Sequence, residues 1–136
     1  MPGPAARQGG TNIAYASTTG YLLYDYTSSE PHPATLDYNL YYSTVGAGSS
    51  LWDWQGKSIT GFSNYQSKSG QDAQSLFADP QYDNISTTPY NLDVMSTSPA
   101  VNAGTNPGVN VVGVLDYAGN PRTNAKGQIN LGAYEQ

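Results

Sequence analysis

Three aspartates and a small set of aromatic rings are the residues of this chain best suited to chemistry. Asp25 lies in YLLYDY, Asp37 in ATLDYNLYY and Asp53 in LWDW, all strand-like runs. Hydrolysis of a glycosidic bond needs two carboxyl groups roughly 5 to 10 Å apart, one as acid and one as base or nucleophile. Asp25 and Asp37 fall in adjacent predicted strands, and Asp53 is a third candidate. The aromatic set is Trp52, Trp54, Tyr24, Tyr26 and Tyr42. Flat rings stack on the apolar C–H faces of sugars, neighbouring Asp, Asn and Gln bind the hydroxyls, and rings lose little rotamer entropy when fixed. In a strand, Trp52 and Trp54 share one face, and so do Tyr24 and Tyr26. The indoles flank Asp53 and precede Gln55, so each ring has a polar neighbour. Packing of the indoles against a following helix, or a tyrosine ladder with no ligand, would use the same residues, and sequence leaves both uses open.

Several other chemistries lack their parts. The chain has no Cys, which removes disulfides, thiolate metal sites and a Cys nucleophile. His32 is the single His and sits between Pro31 and Pro33, with no local carboxylate to orient it as a Ser–His–Asp triad requires. One His without Cys cannot assemble the usual zinc sites. DYAGN and ADPQYDN cluster oxygen ligands that would suit Ca2+; neither has EF-hand spacing, so Ca2+ stays open as an alternative while the expectation is no cofactor. The basic stock, Arg7, Lys57, Lys68, Arg122 and Lys126, is thin for a lyase cleft that must neutralise uronates. The GAG at 46–48 lacks phosphate-loop spacing, and the NIS at 84–86 is a chance-level sequon. A net charge of −5 argues against nucleic acid and anionic membranes as partners. No apolar run approaches the ~18 residues of a bilayer span, and MPGPAARQGG carries no signal-peptide core.

The elements that must position these residues are short. A chain of 136 residues fits one domain. Charged residues make up only 11%, and 12 Tyr stand against 2 Phe among much Gly, Ser, Thr, Asn and Pro, a composition for strands and turns rather than helices. Residues 1–10 read as a disordered lead-in and 11–136 as a single domain. NIAYA, YLLYDY, ATLDYNLYY, SLFADPQY, YNLDV and INLGAYE are strand-like. YTSSEPHPAT is a loop, broken by its prolines. Ser58 is placed to cap a helix carrying Ile59, Phe62 and Tyr65, with Gly70 as its stop. SPAVNAG has the form of a compact helical turn.

NIAYAS and NLYYS repeat one phrase, with Asn12 and Asn39 27 positions apart. A period of 20–30 residues built from short strands points to a solenoid, in which the two Asn would form a ladder. LDYNLYYS, GKSITGFSNYQSKSGQDAQSLFADPQY, YNLDVMSTSPAVNAGT and LDYAGNPRTNAKGQINLGAYEQ, in that order, resemble the closing segment of right-handed parallel β-helix proteins of the pectate-lyase-like superfamily. The resemblance covers about residues 36–136. Asn130, where such endings usually carry an acidic residue, and the Pro-His-Pro at 31–33 depart from it.

The resemblance implies an all-β fold, a right-handed parallel β-helix with a few terminal rungs at 11–57. A closing segment at 58–136 would follow, with a short helix and irregular coil. It further implies a C-terminal piece of a larger secreted or cell-surface protein, a structural role for Arg122, and catalytic residues on middle rungs that this chain lacks. The expected function is binding of a polysaccharide or oligosaccharide through the aromatic residues. The alternatives are a small glycoside hydrolase or polysaccharide lyase using the aspartates, and a structural cap without a ligand. An open β-helix edge would invite self-association.

Overall fold

The computed structural model describes residues 8–9, 12–26 and 35–135. Gly, Ser, Pro and Asn interrupt every apolar run, and the described strands have two to four residues. Strands β1 (Gln8–Gly9), β2 (Ile13–Ala16) and β3 (Tyr21–Tyr24) lie parallel to β4 (Thr35–Leu36), β5 (Leu40–Ser43) and β6 (Leu51–Trp54), respectively. Ile13 is opposite Leu40 and Tyr15 opposite Tyr42, so the 27-residue offset of the sequence is also a register in space. Strand β8 (Leu76–Phe77) adds to the other side of β5.

After β6 the stacking ends. Gln55 and Gly56 both have positive φ, 55° and 71°, the type I′ combination whose twist suits a two-residue hairpin. The chain therefore reverses into β7 (Lys57–Thr60), antiparallel to β6. Strand β7 occupies the edge of β6 on which another parallel strand would have to lie. Helix α1 (Phe62–Ser69) follows and ends at Gly70, which takes the left-handed conformation at φ 69°. Beyond β8, β9 (Tyr82–Asn84) and β10 (Asn91–Val94) form an antiparallel ribbon, and α2 (Val109–Val112) is one short turn.

The expected right-handed parallel β-helix is thus corrected. The described residues form two sheets of three strands and two of two strands, with parallel and antiparallel pairs mixed. No continuous solenoid sheet closes among them, and a two-turn helix packs on β6. The domain is a small mixed α/β unit. Smaller expectations change with it. Ser58 and Ile59 belong to β7 rather than to a helix, which begins at Phe62 after Gly61. SPAVNAG forms turns, with Ser98 Oγ accepting from Ala100 N at 3.1 Å. INLGAYE makes only an isolated bridge, Ile129 to Gly104. Within the expected lead-in, Gln8–Gly9 forms β1; residues 1–7, His32 and the Pro-His-Pro insert lie outside the described residues.

Two apolar clusters hold the unit together. Tyr41, Trp52, Trp54, Ile59, Phe62 and Tyr65 pack between the sheets and α1. Leu40, Val94, Ala100 and Leu131 join the C-terminal coil to β5, with Ile13 against them.

Candidate functional site

Alternation along β6 puts Trp52 and Trp54 inward against α1 and Asp53 on the opposite face. On that outer face Asp53 stands in register with Tyr24 of β3 and Ser58 of β7. Tyr21 is opposite Leu51, one row along. The Tyr21 hydroxyl and Ser58 Oγ are hydrogen-bonded at 3.1 Å. Because β6 lies between β3 and β7, the Tyr21 side chain must cross β6 between Leu51 and Asp53. Its ring meets Tyr24 edge-on at 5.3 Å, and Tyr24 meets Tyr26 at 6.0 Å. Tyr24 is 59% and Tyr26 73% exposed, so the three rings make a continuous strip open to solvent.

Asp53 lies below this strip and is only 7% exposed. Its Oδ1 is buried and has no hydrogen-bond partner among the described residues. A buried carboxylate oxygen without a donor is costly, and a ligand or ordered solvent that brings a donor would relieve that cost.

Asp25 is adjacent. Its N–H donates to Asp53 O at 3.1 Å, its carbonyl accepts from Gly56 N at 2.8 Å, and its Oδ2 accepts from Gln55 N at 3.3 Å. Asp25 therefore pins the β6–β7 turn. Asp37 is elsewhere, after β4. Its Oδ1 accepts from Tyr38 N at 2.9 Å and Gln74 N at 2.6 Å, which ties the β4–β5 connection to the loop before β8. Of the three candidate aspartates, the structure brings Asp25 and Asp53 together and places Asp37 in a different turn.

The aromatic candidates also divide. Trp52 has no exposed surface: it stacks on Tyr65 at 4.4 Å with planes 9° apart, and its Nε1 donates to Ser50 Oγ at 2.9 Å. Trp54 is buried against the same ring. Tyr42 is in the other three-stranded sheet, where it packs on Tyr15 at 5.3 Å and not on Tyr24 or Tyr26. The strip is completed instead by Tyr21, whose place opens the YLLYDY run. Its alternation with Tyr24 is hidden by a register shift at Leu22.

A second polar centre lies deep in the fold and carries Asp72. Its Oδ1 accepts from Asn39 Nδ2 at 2.8 Å and Ser75 Oγ at 2.6 Å, and its Oδ2 from Tyr65 OH at 2.6 Å and Tyr41 OH at 3.1 Å. Burial and the Asp72 carboxylate push both phenols well above the usual tyrosine range. With four donors and no solvent, Asp72 is a structural hub. At the C-terminus, Arg122 reaches Glu135 Oε1 at 3.2 Å and donates to Gly132 O at 2.9 Å. Burial pushes the Glu135 carboxyl up, opposed by the Asn130 N–H and the Arg122 charge. A groove of about 390 Å3 beside Arg122, Tyr82 and Tyr134 is lined by none of the strip's tyrosines, and the Arg122 guanidinium is already engaged. Among the described residues, no group of three or more acidic, His or Cys side chains is placed to hold a metal ion. No family model, curated protein or solved structure matches the chain.

Proposed function

We propose that this domain binds a polysaccharide on the strip formed by Tyr21, Tyr24 and Tyr26, with Asp53 and Ser58 supplying polar contacts. The observation that carries the reading is the pairing of three exposed rings, touching in sequence, with a buried carboxylate oxygen that has no donor among the described residues. Exposed aromatic rings are costly to leave in water and useful against the apolar face of a sugar. Hydroxyl groups of the same sugar would reach Ser58 and the Asp53 carboxylate. Binding is favoured over hydrolysis because Asp25 and Asp37 each spend a carboxylate oxygen on backbone N–H groups that fix turns.

Affinity electrophoresis in gels containing soluble polysaccharides tests this. The protein should be retarded by at least one glycan, and Tyr24→Ala and Tyr26→Ala should each reduce the retardation. Retardation by none of the panel, or retardation indifferent to both changes, rejects the proposal.

A further inference from the structure

Building on the tyrosine strip as a glycan platform, we infer that the glycan it takes presents an ammonium group, the free amine of an amino sugar, to Asp53.

Three observations point the same way. The first is the unmet acceptor. Asp53 Oδ1 is enclosed and lacks a donor among the described residues, and an ammonium brings donors together with the charge that a carboxylate matches best. The second is the rings. Tyr21, Tyr24 and Tyr26 touch in sequence at 5.3 and 6.0 Å, and the faces of adjacent tyrosines attract a cation placed over them. The third is the charge around the strip. Asp25 is joined to Asp53 through its N–H, so two carboxylates share this end of the sheet. Lys57 pairs with Trp54, and its side chain therefore leaves β7 on the face opposite Asp53. Arg122 is committed to Glu135. The strip is thus an aromatic and acidic surface on a chain of net charge −5, a combination that favours a cation over a neutral or anionic sugar.

The Tyr21 side chain passes beside Asp53 on its way across β6 to Ser58. That side chain is 45% exposed and is anchored at its tip by the bond to Ser58. An incoming amine displaces the phenol from over Asp53 while the ring stays available for stacking.

Calorimetric titration with a glucosamine hexasaccharide, its N-acetylated counterpart and a glucose hexasaccharide of the same linkage tests the inference. The amine-bearing ligand should bind about tenfold more tightly than the other two, as a charge-assisted bond and cation–π contacts suggest. Asp53→Asn should erase that preference, while Asp83→Asn, an exposed carboxylate on β9, should leave it intact. Tyr24→Ala removes an exposed ring without touching the core and should lower the preference severalfold. This second variant keeps the test decisive should Asp53→Asn fold poorly. Equal binding of all three ligands overturns the inference and leaves glycan binding by the strip standing. An equal loss in Asp53→Asn and Asp83→Asn overturns it in favour of general charge attraction. Binding of none of the three overturns it as well, and the polysaccharide panel then shows whether the strip binds glycans at all.

Discussion

Asn12 sits on Asn39, donating to its Oδ1 through both the backbone N–H, at 3.1 Å, and the side-chain amide, at 3.2 Å. Asn39 passes the chain on: its Nδ2 donates to Asp72 Oδ1 at 2.8 Å, and its N–H to Ser75 Oγ at 2.9 Å. One side chain thus joins β2, β5 and the loop before β8. Asn39→Ala leaves the Asn12 N–H without its acceptor and Asp72 short of a donor. We expect a loss of about 2–3 kcal/mol in urea unfolding, the range for stranding buried polar groups. Asn12→Ala should cost less, because the backbone donor to Asn39 survives. Equal costs would mean that the link to Asp72 contributes little.

The tyrosine strip and the indoles should separate cleanly by measurement. Trp52 is wholly enclosed, and Trp52→Ala opens a cavity worth about 3–5 kcal/mol. Any fall in glycan binding by that variant would accompany a fall in thermal midpoint. Tyr24→Ala and Tyr26→Ala change exposed side chains and should alter stability by no more than about 0.5 kcal/mol while weakening binding. If Tyr24→Ala and Tyr26→Ala bind as tightly as the parent, the strip is not the platform. A Trp52→Ala variant that lost binding at unchanged stability would return the indoles to the site.

What the sequence made legible follows from how local each signal was. The runs around β2, β3 and β5 were readable because Tyr, Ile and Leu alternate between Gly and Ser breaks. The 27-residue offset of Asn12 and Asn39 was readable because NIAYAS and NLYYS share one order of Asn, aliphatic, Tyr and Ser. Gly70 announced the end of α1 through its left-handed conformation. The reversal at Gln55–Gly56 was not legible, since Asn or Asp usually precedes Gly in such a turn and Gln is an uncommon choice there. That single turn converts a would-be third parallel strand into β7 and takes Ile59 out of the helix. Asp72 gave no sign because GQDAQ has no apolar period, and its partners come from 31 and 33 residues upstream and from α1. Tyr42 and Tyr24 looked equivalent in the strand pattern. Which sheet each strand enters is a long-range outcome that alternation does not encode.

Gly132 in the LGAYE ending is fixed by both geometry and space. Its φ is 91°, and a Cβ there would lie 2.9 Å from Ile13 Cδ1. Gly132 O also accepts from Arg122 Nη2, so the backbone cannot shift without disturbing the Arg122–Glu135 pair. Gly132→Ala should therefore destabilise by about 1–3 kcal/mol, combining left-handed strain with overpacking. Trimming Ile13 to Ala in the same chain should recover part of the packing cost but not the strain. A double variant no better than Gly132→Ala alone would show that strain is the whole effect.

Alkaline conditions should unfold this protein through Tyr41 and Tyr65. In an unfolded chain both phenols ionise at about pH 10, the ordinary tyrosine value. In the folded chain burial and Asp72 hold their protons to much higher pH. Below about pH 10 neither state has released these protons, and the full contribution to stability is present. Above it the unfolded state loses protons that the folded state keeps, so stability falls as the pH rises further. The urea midpoint should hold up to about pH 9, begin to fall at about pH 10 and keep falling as the pH rises further, because both folded phenols stay protonated well above the ordinary tyrosine range. The double variant Tyr41→Phe, Tyr65→Phe should be less stable at neutral pH, because Asp72 loses two donors. Its decline above about pH 10 should nonetheless be shallower, since fewer protons distinguish the two states. A decline just as steep in the double variant would transfer the effect to other groups, of which Tyr82, raised by burial and by Tyr15, is the first to replace.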